Sequence, residues 1–443
     1  MIYINRDTEL TIPLLEKMLN HFNLSVQPKL QKYKNYYDGM QAILKKSYTD
    51  ESKPCNKSVI NYARAIVDSY CGYIASPNCI SYTSENDIED IMDVLRYNDF
   101  QSEDSDLLND ALIYGVANEL MYIDNESKTR FRLISPLNSF GVFDDSLTQD
   151  LLYFVRIYKA NVWDDSDLYC VDVYDNATIK HYTMNGTQGA LKLVAQEPHY
   201  FSQCPANIFY LPDEKSIFDC VLTLQDSVNE LVSAEIDDYS AFCDAYLVLE
   251  GVDADADDIA AMKRNRVMLI PEGATAQYLT KAAQDAQVEN ILKRLHDSIY
   301  RVAQCPDFSS ENFVGGVSSG VSIRFKLSGM EFRAGKIEAE MKKALQRRVE
   351  IISGIATLKL GEEIFRDISI SFKRNIPEDV AATINMINTL KGTVSDATLL
   401  SQLDFVTDVN AELEAIQEQK QANMSLYSFN AFGADNDAED AEI

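Results

Sequence analysis

The stretch that organises this sequence is residues 305–354, which read CPDFSSENFVGGVSSGVSIRFKLSGMEFRAGKIEAEMKKALQRRVEIISG. Its first part, residues 306–320, holds three glycines and four serines, and this composition predicts a loop with much backbone freedom. Its second part, Val321–Ser353, predicts one long helix that is the most basic part of the chain. A mobile loop before a basic helix suits contact with a polyanion. From this stretch alone, the simpler interpretation is a surface loop before a packed helix.

The basic character of the predicted helix comes from eight cations set against four acids. They are Arg324, Lys326, Arg333, Lys336, Lys342, Lys343, Arg347 and Arg348, against Glu331, Glu338, Glu340 and Glu350.

The composition is that of a globular chain with more than one domain. It has 443 residues, of which 46% are hydrophobic and 25% charged, so core material is ample. Its formal net charge of -29 excludes non-specific coating of nucleic acid by counterion release. Any contact with DNA therefore has to use a local patch or avoid a tight grip.

The cysteines predict reduced, buried thiols, because several lie in apolar patterns and none forms a C-x-x-C pair. They are Cys55, Cys71, Cys79, Cys170, Cys204, Cys220, Cys243 and Cys305. The first residues lack the apolar core of a signal peptide, and we expect no membrane-spanning segment.

The first half of the chain predicts helices followed by a mostly antiparallel sheet. Residues 1–50 look helical and polar, and Tyr62, Ile66, Tyr70 and Ile74 recur on one side of a helix. The period then changes to two between residues 130 and 195. The predicted elements are a strand at Cys79–Tyr82, a helix at Ser105–Leu120, strands at Leu151–Tyr158, Leu168–Tyr174 and Thr178–Met184, and a connector at Pro205–Pro212.

Two later helices each carry an apolar seam with 4-3-4-3 spacing, typical of helices packed lengthwise. The seams are Ile217, Val221, Leu224, Val228 and Leu231, then Val288, Leu292, Leu295, Ile299 and Val302. The first seam helix is also strongly acidic, which predicts a face exposed along its length or lining a cavity. The seam could otherwise be an ordinary domain core.

A small α/β insert separates the two seam helices and should project from their shared tip. Its predicted elements are strands at Tyr246–Leu249, Val267–Ile270 and Gln277–Leu279 and a helix at Asp255–Lys263. After the long helix we predict one strand, Ile368–Phe372, and then helices to about residue 420. Residues 434–443 predict a disordered acidic tail.

The sequence motifs predict no catalytic residue, metal site or cofactor. Gly315 and Gly320 have part of the spacing of a phosphate-binding loop, but Val321 stands where a lysine is required. The histidines His21, His181, His199 and His296 are scattered without ligand spacing. Adjacent carboxylates are expected by chance in so acidic a chain, so they do not predict a metal or catalytic site.

Short segments between about residues 55 and 415 share an order and spacing with one family. They are Asn61-Tyr62, Ile66-Val67-Asp68, Gly72-Tyr73, Phe218-Asp219, Val221, Leu224, Asp226, Asn229, Phe242, Asp244-Ala245-Tyr246-Leu247-Val248, Gly251, Pro306-Asp307, Glu311-Asn312-Phe313, Gly315, Ser319-Gly320, Lys326-Leu327, Arg374-Asn375, Pro377, Leu390, Gly392, Ser395 and Thr398-Leu399. In these the chain resembles the portal proteins of tailed bacteriophages, in the branch of long-tailed phages of Gram-positive bacteria.

The resemblance implies an α+β subunit of a portal-like ring, with an α/β wing, a two-helix stem, a small α/β clip, a long helix behind a tunnel loop, and a helical crown. The implied bounds are 1–212 wing, 213–244 first stem helix, 245–282 clip, 283–304 second stem helix, 305–320 tunnel loop, 321–361 long helix, 362–376 wing strand, 377–425 crown and 426–443 acidic tail.

The resemblance also implies which residues meet which partner. Tunnel-loop residues Asn312, Phe313, Val314, Gly315, Gly316, Val317, Ser318, Ser319 and Gly320 would contact DNA, with Arg324 and Lys326 as the nearest cations. Asp226, Glu230, Glu235, Asp237 and Asp238 would form an acidic stem and tunnel wall. Asp255, Lys263, Arg264, Arg266 and Glu272 would serve docking at the clip.

The implied setting is a ring, commonly of twelve subunits, at one capsid vertex of the virion, assembled in the host cytoplasm. Its implied partners are double-stranded DNA in the tunnel, the packaging motor (terminase), a head-tail adaptor, and the major capsid and scaffold proteins. Two other classes stay open, a coiled-coil scaffold or adaptor and an enzyme. The β-rich middle disfavours the first, and the lack of a site disfavours the second.

Overall fold

A six-stranded sheet is the largest β element in the computed structural model of this chain. The structure describes residues 2–50, 53–161, 163, 167–187, 189–242, 246–250, 273, 275–279, 285–309, 320–360, 367–375, 387–400, 403, 409 and 412–420. This part of the chain mixes helix and sheet, so the predicted α+β class is confirmed.

The strands and helices are numbered in chain order. The strands are β1 (Ile2–Ile4), β2 (Ile80–Thr83), β3 (Val116–Ile123), β4 (Thr129–Ile134), β5 (Ser139–Asp144), β6 (Leu151–Lys159), β7 (Leu168–Tyr174), β8 (Thr178–Asn185), β9 (Lys192–Pro198), β10 (Ala206–Tyr210), β11 (Tyr246–Glu250), β12 (Thr275–Leu279) and β13 (Ser369–Phe372). The helices are α1 (Ile12–His21), α2 (Gln27–Tyr37), α3 (Tyr62–Ile74), α4 (Glu89–Tyr97), α5 (Phe100–Tyr114), α6 (Leu222–Phe242), α7 (Asp285–Ala303), α8 (Gly320–Leu360) and α9 (Asp396–Leu400).

The six-stranded sheet has the order β1-β5-β6-β7-β8-β9 and is antiparallel except for the parallel pair of β1 with β5. The predicted strands β6, β7 and β8 are confirmed. Helix α1 covers one face of the sheet, where Leu15 and Met18 belong to the same buried cluster as Val142 and Val171. Period-two alternation therefore predicted the strands of this sheet correctly, because one face of the sheet is buried.

The predicted helix at Ser105–Leu120 is wrong in its second half. Helix α5 ends at Tyr114, and Gly115 adopts a left-handed φ of 82°. A Cβ at Gly115 would lie 2.6 Å from the backbone of Lys215, so only glycine fits there. The chain then continues as β3, which lies between β10 and β4.

The predicted connector at Pro205–Pro212 is also corrected, since β10 lies within it. Its pairing with β3 is a contact between distant parts of the sequence, and a five-residue run offers little local signal.

The predicted strand at Ile368–Phe372 is confirmed as β13, which pairs with β2. Hydroxyl oxygens of Ser81 and Ser371 lie 2.9 Å apart across this pair. The segment that follows the long helix thus returns to the N-terminal part of the chain.

The first seam helix differs from the prediction at its start. Helix α6 begins at Leu222 after a short 3-10 turn at Asp219–Val221, later than the predicted start at residue 213. Glu214 has a left-handed φ of 51°, which a continuous helix cannot contain. Gly320, predicted as loop, is the first residue of α8, and that helix extends to Leu360.

The insert between α6 and α7 is described only in part. Strands β11 and β12 pair antiparallel, which confirms the predicted strands at Tyr246–Leu249 and Gln277–Leu279. The predicted helix at Asp255–Lys263 and strand at Val267–Ile270 lie outside the described residues.

The chain divides into two compact units, Met1–Val317 with Ile323–Asn375, and Ser318–Ser322 with Ile376–Ile443. In the second unit, residues 387–390 and 412–420 are helical along with α9, where Leu399 is buried. The predicted acidic tail lies outside the described residues. No helix in the part of the chain described here has the length and apolarity needed to span a membrane.

Candidate functional site

The root of the predicted tunnel loop is held by a chain of hydrogen bonds between three elements. Asp307 Oδ2 lies 3.0 Å from His296 Nε2 on α7, and His296 Nδ1 lies 3.0 Å from the Tyr62 hydroxyl on α3. Asp307 Oδ1 accepts from the backbone N–H of Ser309 at 3.0 Å and from its hydroxyl at 2.6 Å. These bonds hold the first residues of the predicted loop, up to Ser309, against α7.

The charge state of Asp307 suits this anchoring role. Burial raises its pKa, but hydrogen bonds from Ser309 and His296 outweigh burial and leave the pKa below the ordinary value. The carboxylate therefore stays ionised at neutral pH. Predicted loop residues Asn312, Phe313, Val314, Gly315, Gly316, Val317, Ser318 and Ser319 lie outside the described residues.

The cations of α8 fall into two groups, one exposed and one turned into the folded chain, and the sequence does not show this division. Arg324 and Lys326, the predicted DNA-proximal cations, are exposed near its start. Arg333 turns inward and donates to the carbonyl oxygens of Ala303 at 3.0 Å and Ile217 at 2.9 Å. Arg333 thus satisfies the C-terminal end of α7, where helix carbonyls lack partners.

Arg348 is buried completely, against two carboxylates. Its guanidinium pairs with Asp104 on α5 and donates from Nε to Glu119 Oε2 on β3 at 2.9 Å. The Tyr82 hydroxyl also donates to Asp104, at 2.9 Å. Burial raises the pKa of Asp104, and Arg348 opposes that rise. This cation is part of the core and is not available to an external polyanion.

The acidic face of α6 is covered along part of its length, which corrects the expectation of a face exposed throughout. Asp226 accepts from the Tyr36 hydroxyl at 2.7 Å. Asp237 accepts from the backbone N–H of Asn56 at 2.6 Å and lies 3.5 Å from Lys46 Nζ. Burial raises the pKa of Asp237, but the bonds from Asn56 and Lys46 outweigh it and lower the pKa overall.

Of the predicted acidic wall, Glu230, Glu235 and Asp238 are exposed in the structure. The residues that cover the remainder come from the N-terminal segment, for which the sequence suggested no partner. The close spacing of Tyr33, Tyr36 and Tyr37 was the available signal, since buried tyrosine hydroxyls need hydrogen-bond partners.

The predicted clip residues Asp255, Lys263, Arg264, Arg266 and Glu272 lie outside the described residues. Within the described ranges, no three His, Cys, Asp or Glu side chains group in a way that could hold a metal ion.

Helix α8 follows α6 and α7 along the chain, and β13 after it pairs with β2 in the N-terminal part. A family described as phage portal protein, SPP1 Gp6-like, matches residues 16–426, which is most of the chain. This chain belongs to the phage portal protein family. Portal proteins are structural components of the virion capsid, so the expected structural role is confirmed at this level.

A named relative agrees with the family assignment. The portal protein of Bacillus phage SPP1 is 20% identical to this chain over an alignment 448 residues long, which spans 93% of this chain and 85% of that protein. The match includes α6, α7, α8 and the insert, and it extends into the N-terminal segment that showed no clear resemblance by its local sequence.

Proposed function

We propose that this chain assembles into a closed ring of about twelve subunits at one capsid vertex, and that DNA enters and leaves the capsid through its centre. The observation that carries this proposal is the incomplete burial of the α7 seam. Ile299 is buried, but Val288, Leu292 and Leu295 are only half-buried and Val302 is 46% exposed. A lengthwise apolar stripe left open in one subunit is satisfied when a neighbouring subunit packs on it.

The exposed charges suit a passage for DNA. Double-stranded DNA carries one charge per about 1.7 Å of axis, so a tunnel that passes a genome cannot bind each phosphate tightly. Glu230 and Asp238 on α6 would repel the backbone within a screening distance of about 8–10 Å. Arg324 and Lys326, which follow the predicted tunnel loop, would hold DNA without arresting it.

The domain roles follow from this arrangement. Residues 1–212 with 362–376 act as the wing, α6 and α7 as the stem, and 377–425 as the crown. Residues 306–320 act as the tunnel loop, with 321–361 behind it, and 245–282 act as the clip. The clip docks the packaging motor and later the head-tail adaptor, while the capsid and scaffold proteins meet the ring at the vertex.

The test combines imaging with packaging. Negative-stain images of the purified protein should show rings with a central hole. A phage that lacks this gene should yield capsids without DNA, and the intact gene supplied in trans should restore packaged DNA. Normal DNA content in capsids without the protein would refute the proposal. A coiled-coil scaffold would instead give elongated dimers.

A further inference from the structure

One face of α8 carries two large aromatic side chains that are exposed to solvent. Phe325 is 76% exposed and Phe332 is 72% exposed. They are seven residues apart, which places them on the same face, two turns from each other. Lys336 follows Phe332 by four residues on this face and is also exposed. Large apolar groups exposed side by side indicate an interaction surface.

Two glycines lie on or beside this face and leave it open. Nothing lies within 4 Å of the position that a Cβ would take at Gly329 or Gly335. A glycine inside a helix lowers the stability of that helix relative to alanine. No contact among the described residues explains the glycines, whereas close approach of another backbone would.

The last two turns of α6 carry a second exposed surface with the opposite charge. Tyr239 is 74% exposed and Ile236 is 37% exposed. Glu235 precedes Tyr239 by four residues and is exposed on the same side of the helix. This surface therefore joins aromatic and aliphatic groups to a carboxylate, as the α8 face joins aromatic groups to an ammonium.

We propose that the Phe325–Phe332 face of one subunit docks on the Ile236–Tyr239 surface of the neighbouring copy, with Lys336 near Glu235. The occupant is a second copy because the two surfaces are complementary in charge and are present on every chain. If the α8 faces of two copies paired with each other, Lys336 of one copy would lie against Lys336 of the other, and the two charges would repel. Two different surfaces make a head-to-tail contact, which closes into a ring. This inference rests on the proposed ring and names the residues that hold it together.

The first test replaces both aromatic groups in the full chain. The double variant Phe325→Ser with Phe332→Ser should shift the native mass from rings to single subunits. Its melting temperature as a single chain should stay close to that of dissociated wild-type protein. The control is Trp163→Ser, which removes a residue that is 96% exposed in the loop between β6 and β7 and should leave rings intact. Rings of normal mass in the double variant would overturn the proposal.

A charge exchange tests the partner surface. Lys336→Glu alone and Glu235→Lys alone should each lower the fraction of protein in rings at least tenfold at low salt. The two together should restore most of it, because the charge pair is rebuilt with opposite polarity. Additive loss in the double variant would show that the two side chains do not meet.

Photo-crosslinking separates the possible occupants. With a benzophenone amino acid in place of Phe332, irradiated protein should give a ladder of crosslinked subunits and a crosslinked peptide that contains Tyr239. Crosslinks confined within one chain, or to DNA in intact rings, would overturn the proposal. Failure of the ring itself is distinguishable, since wild-type protein would then show no ring in images and no packaging role.

Discussion

Arg348 and Glu119 are both completely buried, and their side chains are joined by an Nε to Oε2 hydrogen bond of 2.9 Å. Removing one partner of a buried ion pair leaves an uncompensated charge and costs about 3–5 kcal/mol. Arg348→Ala should lower the free energy of unfolding by that amount in urea denaturation. The control Arg324→Ala, on an exposed turn of the same helix, should change it by less than about 0.5 kcal/mol. Equal effects would contradict the core role of Arg348.

Asp110 should make the stability depend on pH. Burial raises its pKa from 3.8 to about 6. Between these values the folded chain binds more protons than the unfolded chain, so the free energy of unfolding falls as pH rises from about 4 to about 6. Asp110→Asn should raise the free energy of unfolding by about 1–2 kcal/mol at pH 7. It should also flatten the dependence of that free energy on pH between about 4 and about 6. An unchanged slope between pH 4 and 6 would rule out this effect.

The N-terminal tyrosines should anchor α2 to α6 and to the 3-10 turn that precedes it. Tyr33 donates to Asp219 Oδ1 at 2.7 Å, and Tyr36 donates to Asp226 Oδ1 at 2.7 Å. A hydrogen bond to a charged group contributes about 1.5–3 kcal/mol, so Tyr36→Phe should cost a comparable amount. Tyr122→Phe, which alters a residue that is 40% exposed, serves as the control and should be near neutral. Hydrogen exchange should show faster opening of α2 in Tyr36→Phe.

The glycines of the predicted tunnel loop should matter for DNA and not for assembly. Replacing Gly315 and Gly316 with bulky residues stiffens the loop, so rings should form but fail to package or retain DNA. Packaged DNA per capsid is the measurement. Normal packaging by this variant would contradict the proposed contact between the loop and DNA.

Arg324 and Lys326 need a separate variant. Replacing both with Ala should weaken DNA retention and leave the native mass of the ring unchanged. If the ring is lost instead, these cations pair with a neighbouring subunit and not with DNA.

The clip prediction is tested by deletion. Removing Gly251–Thr280 should abolish binding of the packaging motor, because the docking surface is lost. The six-stranded sheet should stay folded, since its strands and the helix that covers it all precede residue 200. A deletion variant that still binds the motor in a pull-down would contradict the assignment. Circular dichroism of the same variant checks the fold.

Local sequence patterns predicted an element correctly where the buried face of that element produces the pattern. Alternation located β6, β7 and β8, and the i, i+4 repeat located α3. They failed at Val116–Ile123, where helix-like spacing gives way to a strand because Gly115 ends α5 and two other strands flank the segment. Such pairing is a property of distant residues, and a local period does not carry it.

By itself, the sequence determined the family, the mixed class, the two seam helices and the long basic helix. Only the tertiary structure decided which charges are internal. Arg347 and Arg348 are adjacent, yet Arg347 is half-buried while Arg348 is fully buried by acids 244 and 229 residues away. The physical reason is that the cost of burying a charge depends on the partners that folding brings to it, and those partners are remote in the chain.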